Sequence, residues 1–541
     1  MKRYILLLPI LFATTIVAGQ SANDTINRMV LVESTYNPII TGAVKRNFIP
    51  EEVKPSMNKE EIVYARENVD LTNFDREAQP AQAATIASEK GYQGYAHLGY
   101  GNYNNLDGLV AYKFRSGSND LALKAHADGW NGKFRLNDDT RWRSHLYDLG
   151  LEADYNTLLA GTALNAGIYA TYYNYNYLTD TTFVGNSNVQ QANRIGGYIG
   201  FNGSLQNYFY GATIQYTHFG RNTHLGFKTP HSEGHLGIKG YFGMDLYEWG
   251  MVSVLLHSDV LNYQGLTNYR GYFSLGITPQ WDYQLGDFHF ISGLNLDFLG
   301  GDSNQPVQTP LQVSPECSIS YVPSDKPFTA EFTLDGGRDI HTFSRLHELS
   351  PYWASEVQVC PTYTFMNAHL DGGVRIIEGL HLHLGGGYKI LSNALFETVI
   401  DMAGTRYTDI TGHKAQVATV DGEISYLYKD LVTFTAKGNY YHWMLQGDRA
   451  LLARAPQFST DIDARVRIIP QLHAHTNLKC ITFTGADERA IIDWSLGAHY
   501  ALNKQISFFL DAHNLLNHRH SYYTGYPSEG FNVLIGAMVK F

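Results

Sequence analysis

The sequence predicts an all-β fold: a transmembrane antiparallel β-barrel of about 22 strands, preceded by a short, extended N-terminal periplasmic segment. Three observations predict it. Residues 531–541, FNVLIGAMVKF, place Phe531, Val533, Ile535, Ala537, Val539 and Phe541 on one face of an extended strand, because strand side chains alternate between faces. Such a strand suits lipid on one side and a polar lumen on the other. The chain after residue 90 divides into β-like segments whose links alternate between short and long, as periplasmic turns and outer loops do. Finally, outside the N-terminus no run of about 20 apolar residues occurs, so any membrane crossing falls to strands.

Taken in order, residues 1–19 read as a secretory signal peptide. Lys2 and Arg3 form its charged start, Tyr4 to Ala18 are mostly apolar, and Val17 and Gly19 supply small residues for cleavage. Residues 20–90 carry Pro38, Pro50, Pro55 and Pro80 and a charged patch from Lys59 to Glu61. They read as an extended periplasmic segment. Residues 91–541 read as one barrel.

Its predicted strands run over 93–102, 105–115, 120–130, 142–155, 161–173, 192–202, 207–219, 231–242, 247–263, 272–283 and 286–298. They continue over 309–321, 328–336, 361–376, 380–392, 413–428, 431–443, 458–468, 472–482, 490–501, 505–513 and 531–541. Links after even-numbered strands are tight, as at 284–285 and 429–430. Those after most odd-numbered strands are long, as at 337–360, 393–412 and 514–530; the first hairpin, near Tyr103, is the exception. An even strand count leaves both barrel ends in the periplasm. Within 142–155, Tyr147, Leu149, Leu151, Ala153 and Tyr155 oppose Ser144, Asp148, Glu152 and Asp154. A Lys or Arg facing lipid costs roughly 2–4 kcal/mol at mid-bilayer, which confines charge to one face. Trp130, Trp142, Tyr283 and Trp443, near strand ends, suit interfacial girdles.

Composition agrees. The 541 residues include 38 Tyr and 51 Gly, and the formal charge of −11 argues against a nucleic-acid partner. No 40-residue repeat suggests a propeller or solenoid. Cys317, Cys360 and Cys480 are few and far apart, and are read as free, packed thiols.

The C-terminal residues carry a family resemblance. FFLDAHNLLN at 508–517, then Gly525-Tyr526-Pro527, Gly530 and the terminal strand, resemble the end of TonB-dependent outer-membrane receptors. That family usually opens its last strand with Gly-Arg; here it is Gly530-Phe531. The resemblance covers roughly residues 91–541 and implies nutrient binding or transport across the outer membrane of a Gram-negative bacterium. It also implies that Phe531, Val533, Ile535, Ala537, Val539 and Phe541 form the signal read by the barrel assembly machinery. Outer-membrane lipid is the other expected partner, and a TonB-type energy-coupling protein or other envelope proteins are candidates. Val30-Leu31-Val32-Glu33 sits where such receptors pair with TonB, though the preferred reading is an ordinary β-edge tetrapeptide. The family carries a plug of well over a hundred residues, against about 70 in residues 20–90. The chain therefore looks like a receptor barrel without its plug.

Candidate sites are few. His381 and His383 alternate with Leu380, Leu382 and Leu384, and His473 and His475 flank Ala474, so all four should face the lumen. His499 and His513 lie on polar faces of the next two strands. An i, i+2 histidine pair can hold a metal, but the two pairs sit on strands that are not neighbours. They are read as neutral lumen residues that bind no metal tightly. No Gly-x-Ser-x-Gly, His-Glu-x-x-His or phosphate loop occurs, so neither an enzyme nor a cofactor is expected. In the long loop 337–360, residues 344–349 suggest one helical turn stopped by Pro351. Phe343, Tyr352 and Trp353 could pack down as a lid or meet a partner; self-packing over the barrel mouth is preferred. The other functional readings are a structural or assembly partner of an envelope complex and a passive porin.

Overall fold

In a computed structural model, the described residues are 92–541, apart from 137–138, 184–186, 223–229, 268, 302–309, 355–358, 446, 448 and 486–487. The signal peptide, the periplasmic segment 20–90 and the tetrapeptide at Val30 lie outside them.

The described chain is a ring of 22 antiparallel strands. They are β1 (Gly94–Gly101), β2 (Leu106–Ser116), β3 (Asn119–Arg135), β4 (Arg141–Leu159), β5 (Thr162–Asn176), β6 (Val189–Leu205), β7 (Tyr208–Arg221) and β8 (His231–Asp245). Next come β9 (Met251–Gln264), β10 (Gly271–Leu285), β11 (Phe288–Gly301), β12 (Leu311–Tyr321), β13 (Phe328–Asp339), β14 (Thr362–Ile377) and β15 (Leu380–Met402). The ring continues with β16 (Thr405–Tyr428), β17 (Val432–Leu445), β18 (Pro456–Ile469), β19 (Leu472–Phe483), β20 (Ile491–Ala501), β21 (Ile506–His513) and β22 (Asn532–Lys540). A short α-helix, α1 (Phe343–Leu349), interrupts the link between β13 and β14.

Each strand pairs with the next, and β22 closes the ring on β1 from Tyr95↔Lys540 to Gly101↔Leu534. The Gly94 and Phe541 backbones complete the seam, with N–H···O bonds of 2.7 and 2.9 Å. Closure matters because an open edge in lipid would strand backbone donors and acceptors without partners.

The period-2 pattern decides which face is which. Leu151, Ile168, Ile199, Ile214, Leu370, Leu384, Val420, Leu510 and Ile535 lie on the outside and are exposed. In water such a continuous apolar wall would be a liability; in a bilayer it is the lipid contact. In the closing strand Ile535, Val539 and Phe541 point out, whereas Leu534 and Met538 are buried on the inner side. The outward polarity expected for that strand therefore holds.

Two expectations need correction. Residues 393–412, read as a loop, are mostly strand: β15 and β16 run past the wall as one hairpin. Trp130, Trp142 and Trp443, read as girdle residues, face inward: Trp142 is buried against Tyr352 and Tyr526, Trp130 donates to the buried Ser144, and Trp443 packs edge-on against Phe396 of the hairpin. Outward aromatic positions fall instead to residues such as Trp281, stacked on Tyr283, and Trp494.

Candidate functional site

The links after odd-numbered strands all lie at the end of the barrel away from the β1–β22 termini, and several of them meet over the mouth. The loop between β13 and β14 supplies the centre. Thr342 caps α1, its hydroxyl accepting from the Arg345 amide at 3.1 Å, and Ser350-Pro351 ends the helix. Phe343, Leu346 and His347 form the buried face of α1. The Phe343 amide donates to the buried Glu233 carboxylate at 2.5 Å, and Arg194 pairs with Glu348 at 2.8 Å, so the helix is tied to β8 and β6.

Tyr352 and Trp353 follow directly and are almost fully buried. Tyr352 stacks on Tyr526 of the β21–β22 link, with ring centroids 3.5 Å apart and planes at 7°. Trp353 stacks on Phe343, and the buried Arg221 guanidinium lies 3.3 Å from the centroid of its ring. Arg221 also donates to the Trp353 carbonyl at 3.1 Å and to the Tyr177 hydroxyl at 3.2 Å. The cation is thus held by a ring face and two oxygens, an arrangement that gains strength as water is excluded.

The β15–β16 hairpin covers this cluster. A register shift between Leu391 and Ala394 marks where the hairpin departs from regular pairing. There Asn393 donates to the carbonyls of Cys360 and Pro361, and the Thr362 hydroxyl donates to the Asn393 carbonyl at 2.6 Å. Gly412 stands opposite because a Cβ there would lie 1.9 Å from the Asn393 side-chain oxygen. At the tip, Ala403 and Gly404 have φ of 51° and 70°, the left-handed pair that a two-residue hairpin turn requires. Gly404 also lets the tip approach the β5–β6 link, where an added Cβ would come within 2.5 Å of the Phe183 nitrogen.

Thr408 is the node. Its amide donates to the Tyr352 carbonyl and its carbonyl accepts from Ala354, each at 2.9 Å. Its hydroxyl meets Ser350 at 2.9 Å and donates to the Thr524 carbonyl at 3.1 Å. One residue of the hairpin therefore joins the β13–β14 and β21–β22 links. The lid expected from Phe343, Tyr352 and Trp353 is present, self-packed, and larger than the loop that suggested it.

Burial fixes the charge states in the lid. It holds His347 down to about 3, with Arg221 and Arg194 adding to the effect, and His341 down to about 4. Both imidazoles are neutral near pH 7. Burial pushes the Cys360 thiol up to about 11, which makes it a poor nucleophile. None of the three cysteines forms a disulfide.

Below the lid the wall is lined by histidine–aspartate pairs. They include His97–Asp107 at 2.8 Å, His126–Asp148 at 3.3 Å, His235–Asp259 at 2.8 Å and His289–Asp282 at 2.8 Å. Other pairs reach across a whole strand. His257 on β9 reaches Asp297 on β11 at 3.3 Å over Gly276, and His475 on β19 reaches Asp511 on β21 at 3.2 Å over Gly497. Only a glycine in the middle strand permits this. A Cβ on Gly276 would sit 1.8 Å from the His257 ring, and one on Gly497 would sit 2.0 Å from Asp511.

The strand parity of His381, His383, His473 and His475 puts them on the lumen side, opposite the lipid-facing Leu384 of β15. They do not act as two i, i+2 pairs. His383 joins His369 and two aspartates, His475 joins Asp511, and His473 lies in register with His499. The aspartate partners and His369 were not singled out from the sequence. The run Gly385-Gly386-Gly387 was the available signal, since clearance of that kind usually serves a bulky neighbour.

No family model matches the chain, and no curated protein matches it. Solved structures do. The FrpB iron transporter from Neisseria meningitidis superposes with a TM-score of 0.64 at 10% identity, covering 84% of this chain and 82% of that one. The pyoverdine outer membrane receptor FpvA from Pseudomonas aeruginosa PAO1 gives 0.62 at 11%, covering 83% and 79%. The copper transporter OprC gives 0.61 at 10%, covering 83% and 80%. The chain therefore has the 22-strand barrel fold of the TonB-dependent-receptor type.

Proposed function

We propose that this chain is an outer-membrane β-barrel that binds a nutrient and moves it across the outer membrane of a Gram-negative bacterium. One observation carries the reading: an ordered lid, assembled from several walls, spans the outer mouth of a closed barrel whose interior is polar. A passive pore has no use for Thr408 and Trp353 locked in place, whereas a receptor needs a surface that recognises cargo before admitting it. Iron, copper and pyoverdine appear in the names of structures sharing the fold, which supports metal ions or their chelates as the cargo class. Outer-membrane lipid surrounds the barrel, the barrel assembly machinery inserts it, and an energy-coupling protein of the TonB type is the partner the reading asks for on the periplasmic side.

The test is titration of the purified full chain with ferric and cupric chelates, each against its metal-free chelator, together with conductance in planar bilayers. Saturable binding with no steady conductance is the expected result. A steady open conductance with no saturable binding would make it a porin. Stoichiometric co-purification with other envelope proteins, without chelate binding, would make it a scaffold.

A further inference from the structure

At one place on the lumen wall the histidine–aspartate pairing becomes a four-residue cluster, and we propose that His369, Asp371, His383 and Asp421 form a binding site for a divalent first-row transition-metal ion. His369 and Asp371 come from β14, His383 from β15 and Asp421 from β16. His369 Nε2 lies 3.1 Å from Asp371 Oδ2 and 3.4 Å from Asp421 Oδ1, and His383 Nε2 lies 3.1 Å from Asp371 Oδ1. His383 Nδ1 stands 4.0 Å from Asp421 Oδ2. One ligand atom each from His369, Asp371 and Asp421 falls within 4.8 Å of the others.

These distances suit a metal. Zinc bonds of about 2.0–2.2 Å to nitrogen and oxygen separate neighbouring tetrahedral ligands by about 3.4 Å. Two imidazoles with two carboxylates form a donor set for zinc, iron or nickel rather than for calcium or magnesium. The charges agree as well. Neither carboxylate has a Lys or Arg partner among the described residues, so two negative charges converge on two imidazoles. Pairs such as His257–Asp297 and His475–Asp511 hold one carboxylate each.

The backbone beneath is cleared for the cluster. Gly385 sits between Asp371 and Asp421 in the strand register. A Cβ there would lie 2.5 Å from Asp421 Oδ2, 2.7 Å from Asp371 Oδ1 and 2.9 Å from His369 Nε2. All three donors therefore converge over one glycine. A Cβ on Gly387 would press on the other ring nitrogen of His369 at 2.5 Å. The site departs from the sequence expectation that His383 holds no metal. That expectation weighed His383 only with the other i, i+2 histidines, on its own strand and on β19, whereas the structure brings His369 and Asp371 of β14 and Asp421 of β16 beside it. The inference does not depend on transport: a wall site could hold its ion in a barrel that moves nothing.

The experiment is titration of the purified full chain in detergent with Zn(II) alone, after chelator treatment, followed by calorimetry. One tight equivalent is expected. His369→Ala and Asp421→Asn should each weaken it by at least about tenfold. Gly385→Ala should weaken it comparably while removing no ligand, and His475→Ala, at a pair with one carboxylate, should leave it unchanged. Heat-modifiable gel migration confirms that each variant is a folded barrel. Should Gly385→Ala fail to fold, the His369 and Asp421 variants decide. Absence of a tight equivalent in the wild type, or a tight equivalent unaffected by His369→Ala and Asp421→Asn, overturns the proposal.

Discussion

Thr405, at the tip of the β15–β16 hairpin, pairs in antiparallel register with Thr179 of the β5–β6 link. The two start from opposite walls: nine strand steps separate β6 from β15 one way round the ring, and eleven separate β16 from β5 the other way. The contact is made by backbone, with Asp180 donating to the Gly404 carbonyl at 2.8 Å and Arg406 to the Leu178 carbonyl at 2.9 Å. The lid is thus a small piece of sheet strung across the mouth.

A cysteine at each of these positions should therefore crosslink. Directly opposed antiparallel residues have Cα atoms about 4.5–5.5 Å apart, inside the range a disulfide accepts. Thr179→Cys with Thr405→Cys should form a disulfide under mild oxidation, identified by mass spectrometry of the linked peptides. Neither single variant should pair with Cys317, Cys360 or Cys480. Failure of the double variant to crosslink in the folded protein would mean that the hairpin does not cross the mouth.

Acid should loosen the lid. His341 and His347 are depressed in the folded protein, to about 4 and about 3, so the unfolded lid binds protons more readily. Their contribution is fully present above pH 6.5 and is lost as pH falls toward the folded values, by roughly 2–3 kcal/mol each at pH 4.5. Arg221 and Arg194 beside His347, and Arg345 near His341, act in the same sense, whereas Asp339 opposes the shift of His341. Glu348, Glu397 and Asp409, all raised by burial, favour the folded lid in acid and offset part of the effect. Limited proteolysis within residues 340–361 should speed up between pH 6.5 and 4.5 while the heat-modifiable barrel band persists. His347→Phe should reduce the pH dependence. A cleavage rate flat across that window would contradict the assignment.

What the sequence disclosed follows from where its periodicity is physical. The wall strands face lipid on one side and a polar lumen on the other, so their alternation is strong and all 22 were legible. The hairpin beyond Asn393 has no lipid face. Its contrast lies between a lid core, with Phe396, Tyr407 and Ile410 buried, and its surroundings, so it read as a loop. Trp142 was misplaced although its parity with Ser144 and Asp148, both polar and inward, gave the right answer. The cluster at Asp421 was not legible at all, because it depends on the register of three strands, and register is set by pairing rather than by any one strand.

The glycine beneath a histidine–aspartate bridge should be the intolerant position. Gly497→Val places a side chain where Asp511 Oδ1 and the His475 ring already lie, 2.0 and 2.3 Å from the new Cβ. Gly422→Ala is the comparison: its Cβ would stand 3.5 Å from the nearest atom, an ordinary contact. Gly497→Val should lower the thermal midpoint of the detergent-solubilised barrel, followed by circular dichroism, by several degrees, while Gly422→Ala should stay near wild type. Equal midpoints would show that the bridge is dispensable.

Ile535 is the most exposed residue of β22, at 63%, and lies in register with Tyr100 of β1 and Leu510 of β21. Phe541 exchanges both backbone hydrogen bonds with Gly94 and stacks on Tyr112 at 5.9 Å. Ile535→Lys puts a charge into lipid at a cost of roughly 2–4 kcal/mol near mid-bilayer. Deleting Phe541 removes the last rung of the closure and one outward aromatic. Each change should lower the amount of heat-modifiable barrel recovered in the outer-membrane fraction. The barrel that does assemble should bind ligand as wild type does, because neither side chain faces the lumen. Insertion of both variants at the wild-type level would mean that this strand does not govern assembly, and impaired binding by the inserted fraction would mean that its outer face is felt inside the lumen.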